Sequence, residues 1–163
     1  ELRVLEFFAP PPSTGTSGPY ARTKPLLEEN RYEDDALIGN WPGGTRARTT
    51  LTPVRRTDLA YRRSGDALIG LIASTDQLTV ATLGLSPGTA SAPQRRGGDE
   101  LIFGTEGITH VWSRYEGASY VFEMGPGDAC YLPVGSTHEY RNFTSDTTTA
   151  LIGVAPSWFA PDE

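Results

Sequence analysis

The sequence is poor in the residues from which many sites are built. Its 163 residues include one cysteine, one methionine and only two histidines. A single cysteine excludes an internal disulfide and gives no reason to expect an oxidising compartment. No apolar run approaches the ~18 residues of a membrane-spanning helix. The first residues lack a basic stretch followed by an apolar core, so a cytoplasmic location is the expectation. Positive charge is also scarce: 14 Lys and Arg stand against 20 Asp and Glu, a net charge of −6. That balance argues against general binding to nucleic acid or to an anionic membrane. Lysine is nearly absent beside arginine, a bias that suggests a GC-rich bacterial source. Long helix-forming runs are missing as well.

Glycine and proline are abundant, at 18 and 13 residues, and hydrophobic and charged residues make up 37% and 21%. This is the composition of a soluble globular chain of one domain, rich in turns. Residues 1–48 read as an N-terminal arm and linker. "APPPSTGTSGPY" supports no regular element, while Phe7, Phe8, Leu26, Leu27 and Trp41 give the arm apolar groups with which to wrap the domain or reach a partner chain. Residues 49–163 read as the folded domain. Short segments rich in Val, Ile, Leu, Thr and aromatics occur at 49–56, 67–74, 78–86, 99–107, 108–115, 119–125, 129–135, 138–144 and 148–156. Gly, Pro, Ser and Asp punctuate them every 8–12 residues or so, a pattern that predicts an all-β sandwich or barrel.

Two spacings carry the functional signal. Residues 127–142 read G-x5-P-x-G-x2-H-x3-N, with Gly127, Pro133, Gly135, His138 and Asn142 at the fixed positions. Residues 88–107 read G-x5-Q-x-R-x3-E-x6-G, with Gly88, Gln94, Arg96, Glu100 and Gly107. Gly88 and Gly127 follow prolines where the chain must reverse, and predict turns with positive φ. Strand alternation places Gln94 and Arg96 on one face, and a barrel closed around that face brings Glu100 and His138 into the same interior.

The spacings resemble the two motifs of the cupin superfamily, in order and at a usual separation, over residues 78–157 or so. The resemblance implies a double-stranded β-helix (jelly-roll) barrel. In that family two histidines and the glutamate of the first motif, with the histidine of the second, hold a divalent metal. Here both first-motif histidines are replaced, by Gln94 and Arg96.

Three readings are open. Arg96 offers no lone pair, and a dication ~4–5 Å away would be repelled by several kcal/mol even at an effective dielectric near 20. The first reading is therefore an enzyme without metal: an isomerase, lyase or cyclase acting on an anionic small molecule. Arg96 would clamp the anion, Glu100 and His138 would be acid and base, and Gln94 would offer its amide. The second is a dioxygenase or decarboxylase with Fe, Mn, Ni or Zn on Gln94, Glu100 and His138. The third is a ligand-binding or degenerate barrel with an inert ion pair. Tyr131 and Tyr140 flank the second motif as pocket-lining or core residues. His110 is expected on an outer face in a structural role, Cys130 as a small apolar residue, Phe103 in the core and Trp158 as an anchor of the C-terminus. Edge strands and the apolar arm suggest a homodimer.

Overall fold

The computed structural model describes residues 4–7, 54–74 and 77–160. They form ten strands: β1 (Ala60–Ser64), β2 (Ala67–Ser74), β3 (Thr79–Leu85), β4 (Gln94–Arg95), β5 (Asp99–Glu106), β6 (Thr109–Tyr115), β7 (Ala118–Met124), β8 (Ala129–Leu132), β9 (Thr137–Arg141) and β10 (Thr148–Ala155). One sheet runs β1-β2-β3-β10-β5-β8 and the other β4-β9-β6-β7. The pairings are antiparallel.

Period-two alternation builds the interior. In β3, Thr79, Ala81, Leu83 and Leu85 are buried while the residues between them are half-buried. Thr148, Ala150, Ile152 and Val154 of β10 face the same way. Ile152 stands between Ala81 on one side and Ile102 on the other. Each leucine, isoleucine or valine among them, removed from water, contributes roughly 1.5–3 kcal/mol. One row is different. Val154 and Leu132 flank Glu100, a carboxylate only 1% exposed, so an ionisable group is set into an apolar layer.

The turns that position the motifs follow the sequence. Gly88 and Gly127 adopt φ of 69° and 95°, which a side chain would disfavour. Asn142 is fully buried and gathers a loop: its Nδ2 donates to the carbonyls of Leu85, Ser86 and Asp146, and its Oδ1 accepts from the Thr144 backbone N–H. The last motif residue is therefore a structural pin.

Two expectations differ. The described end of the 49–56 segment is not a strand; a three-residue 3₁₀ turn occupies Arg56–Asp58, and the first strand is β1, which carries Arg62-Arg63. Two charged residues hide its alternation, yet charge suits an edge strand. Phe103 is half-buried on the outer face, because Ile102 takes the inward position. Of the arm, Phe7 packs over Gly153 of β10 while residues 4–6 are exposed; the rest of 1–48 lies outside the described residues. Among the described residues no helix is long and apolar enough to cross a membrane.

Candidate functional site

Four segments deliver the candidate residues to one place. Gln94 on β4 pairs in register with His138 on β9, and His138 pairs with Ser113 on β6. Directly opposed residues share a face, so these three point inward together. Arg96 follows one residue beyond β4, and Glu100 enters from the second residue of β5. The turn ahead of His138 is held by Asp99, whose Oδ1 accepts from the Val134 backbone N–H at 2.8 Å.

Glu100 is the hub. Its Oε2 accepts from Arg96 Nε at 3.0 Å and lies 3.3 Å from His138 Nε2. Its Oε1 accepts from the Tyr140 hydroxyl. Arg96 also donates from Nη2 to Gln94 Oε1 at 2.7 Å. Burial pushes the Glu100 carboxyl upward, but Arg96, then His138 and Tyr140, outweigh it and hold the pKa down to about 2. Burial first, and then the Glu100 charge, raise the Tyr140 phenol well above its ordinary range, so it remains a donor. The motif reading makes Glu100 an acid or base. A carboxylate held this low is a weak base and stays ionised near neutral pH, which makes it the counter-ion of the cluster.

His138 is 2% exposed, and neither ring nitrogen has a hydrogen-bond partner among the described residues. Nε2 is near enough to Glu100 for an ion pair when protonated, but not aligned for a hydrogen bond. A buried polar group left unsatisfied is costly and is a natural point for a ligand. Gln94 Nε2 is in the same condition.

The donor set does not suit a metal. A metal needs lone pairs turned to a common point. Gln94 Oε1 and Glu100 Oε2 are turned to the Arg96 guanidinium, which already supplies the positive charge. Only His138 keeps open nitrogens. Among the described residues no three His, Cys, Asp or Glu side chains group as metal ligands.

Tyr140 is completely buried beside His138, their ring centroids 5.3 Å apart. Tyr131 is not in the site. It is 59% exposed, because its neighbours Cys130 and Leu132 take the inward positions on β8. His110 also faces outward, edge-on to Phe143 and 3.4 Å from Glu123.

One wall has no counterpart in the motif reading. Trp158 packs under Arg96, with the guanidinium carbon 3.7 Å from the ring centroid. Gly97 and Gly98 make this approach feasible: a Cβ on Gly97 would run into the Phe159 carbonyl, and one on Gly98 into that of Ala155. The "RGGD" stretch is the available signal, but the segment it meets lies far along the chain.

A cavity of about 400 Å³ lies against the four-stranded sheet, lined by Trp112, Arg114, Val121 and Arg141 and also by Ser113 and His138. Glu100 is not among its lining residues, but His138 joins the two. A smaller cleft of about 190 Å³ reaches Gln94 and Arg96 from the side of β1.

No family model and no curated protein matches the sequence. Solved structures do match in fold. The polyketide cyclase RemF from Streptomyces resistomycificus aligns with a TM-score of 0.55 at 20% identity, over 66% of this chain and 81% of that one. Oxalate decarboxylase OxdC from Bacillus subtilis, in a single-residue mutant form, aligns at 0.59 and 18% identity over 71% of this chain, which spans about a third (33%) of it. Drosophila melanogaster CENP-C bound to CAL1 aligns at 0.55 and 9% identity, over 63% and 84% of the two chains. Identities this low speak to the fold alone. Motif spacing, sheet order and these likenesses agree that the chain has the fold of the cupin superfamily, with an arginine–glutamate pair at the heart of its barrel.

Proposed function

We propose that the protein is a small-molecule enzyme of the cupin type that moves a proton on an anionic substrate without a metal, as an isomerase, lyase or cyclase. The observation that carries this reading is the buried His138 ring, its Nδ1 without a hydrogen-bond partner among the described residues and its Nε2 3.3 Å from a carboxylate already paired with Arg96. In this scheme neutral His138 takes a proton from a carbon beside the substrate carbonyl. The imidazolium formed is stabilised by ionised Glu100, and Arg96 attracts the negative charge of substrate and enolate. His138 then returns the proton to the same or a neighbouring atom. Glu100 and Tyr140 hold the pair in place.

Fold likeness adds little to this, since a cyclase, a decarboxylase and a protein bound to another protein share the barrel. The competing reading, a ligand-binding barrel without chemistry, draws on the closed Arg96–Glu100 pairing. Deuterium exchange separates the two. A panel of 2-oxo and 3-oxo acids is incubated with the protein in D₂O and chelator, and exchange at the acidic carbon is followed by NMR. Exchange lost in His138→Gln supports the proposal. Exchange that survives His138→Gln, or that needs added metal, overturns it, and binding without exchange supports the non-catalytic reading.

The same reading includes a homodimer. Residues 118–123 of edge strand β7 are exposed on both faces, Tyr120, Val121 and Phe122 among them, and an uncovered apolar edge invites pairing. Light scattering at micromolar concentration tests it, and a monomeric mass rejects it.

A further inference from the structure

We infer that the inward face of β7, at the open end of the barrel, seats the substrate: Tyr120 and Phe122 receive a flat, conjugated ring, and the row Ser113, His138 and Gln94 receives the oxo-acid tail attached to it. This names the substrate class of the proton-transfer reading, an aryl-substituted oxo acid, and rests on that reading.

Register is the first argument. Tyr120 pairs with Ser113, Ser113 with His138, and His138 with Gln94, so one row crosses β7, β6, β9 and β4. Phe122 pairs with Val111, and Val111 with Tyr140, both of them fully buried. Directly opposed residues share a face, and this one is the face of the interior.

Exposure is the second. Met124, on the same strand and the same face, is 3% exposed, whereas Phe122 is 41% and Tyr120 44% exposed. An edge position does not explain that gradient, because Met124 shares it. The interior is filled at the Met124 end and open at the Tyr120 end, where His138 and Gln94 stand. Two large rings turned inward yet left in water mark a place for an apolar group to cover them. Their planes are 6° apart and their centroids 6.1 Å apart, so together they make one broad wall.

Length and polarity are the third. Neighbouring strands lie about 4.8 Å apart, which puts about 10 Å between the main chains of Tyr120 and His138. A single ring with a short oxo-acid tail fits that span. Along the row the surface changes from aromatic to the Ser113 hydroxyl, the imidazole and the Gln94 amide, whose Nε2 is buried without a hydrogen-bond partner among the described residues. Tyr120, Ser113 and His138 also line one cavity of about 400 Å³. A strand added at the β7 edge engages main-chain groups and leaves both rings facing the interior.

Phenylpyruvate and its saturated counterpart, 3-cyclohexyl-2-oxopropanoate, carry the same charge and differ in the flatness of the ring. Calorimetric titration in chelator should show phenylpyruvate binding about fivefold more tightly or better. Tyr120→Leu combined with Phe122→Leu should abolish that preference and change the affinity for the cyclohexyl compound by less than about twofold. Tyr120→Phe, which keeps the ring, should retain it. A thermal melt matching wild type shows that each variant is folded, and the preference of the unaltered protein is read without any variant. Equal affinity for the two compounds, a preference that survives the double substitution, or no binding of phenylpyruvate overturns the proposal. Ring-dependent binding with no deuterium exchange keeps this site and rejects the catalytic reading, whereas exchange indifferent to both rings rejects this site alone.

Discussion

The guanidinium carbon of Arg96 lies 3.7 Å from the ring centroid of Trp158, so an indole covers one face of the barrel's positive charge while Glu100 accepts from its Nε edge. The arrangement depends on the segment after β10 lying directly upon the turn between β4 and β5. Gly97→Ala should force that segment away, since its Cβ meets main-chain carbonyl rather than a yielding side chain. The expected result is a red-shifted tryptophan emission and a loss of stability. Trp158→Ala should cost about 3 kcal/mol or more in denaturant unfolding, from lost burial and a lost cation–π contact.

Acid should expose the role of Glu100. Its folded pKa of about 2 lies below the 4.5 of the free side chain. The unfolded chain therefore takes up the proton first as pH falls. The stabilisation is complete above about 4.5 and is lost progressively towards 2, a contribution of about 3 kcal/mol. Urea unfolding between pH 6 and 2.5 measures it. Glu100→Gln should be less stable at neutral pH, because Arg96 loses its counter-ion, and should show a shallower fall with acid. Parallel curves for the two proteins would contradict the assignment.

Arg96→His should open a metal site. The exchange removes the internal cation, frees Gln94 Oε1 and Glu100 Oε2, and puts an imidazole at the position that now meets both. Elemental analysis after dialysis against zinc or manganese should find near-stoichiometric metal in the variant and little in the parent. Equal metal in both would show that the guanidinium does not control the site.

Asn142→Ala should be strongly destabilising and chemically silent. The side chain bonds three carbonyls and a backbone N–H while fully buried. Its loss leaves several groups unsatisfied and should cost roughly 2–4 kcal/mol. Deuterium exchange per folded molecule should be unaffected. A wild-type melting temperature would overturn the assignment.

The two motifs, read with strand periodicity, determined the barrel and the set of residues from which its interior site is drawn. Turn glycines and alternating apolar residues are local constraints, and local constraints are written in neighbouring positions. They placed β2, β3 and β5 to β10, and set Gln94, Arg96, Glu100 and His138 on inward faces. Tyr131 escaped that logic because a shift of one residue along a strand reverses its face. β1 escaped it because Arg62 and Arg63 obscure the alternation. Only the tertiary structure decided that Arg96 meets both Glu100 and Trp158, and that His138 is buried with Nε2 beside Glu100 and Nδ1 without a hydrogen-bond partner among the described residues. These relationships join strands and a terminal segment distant in sequence, and charge balance and burial exist only once those segments have come together.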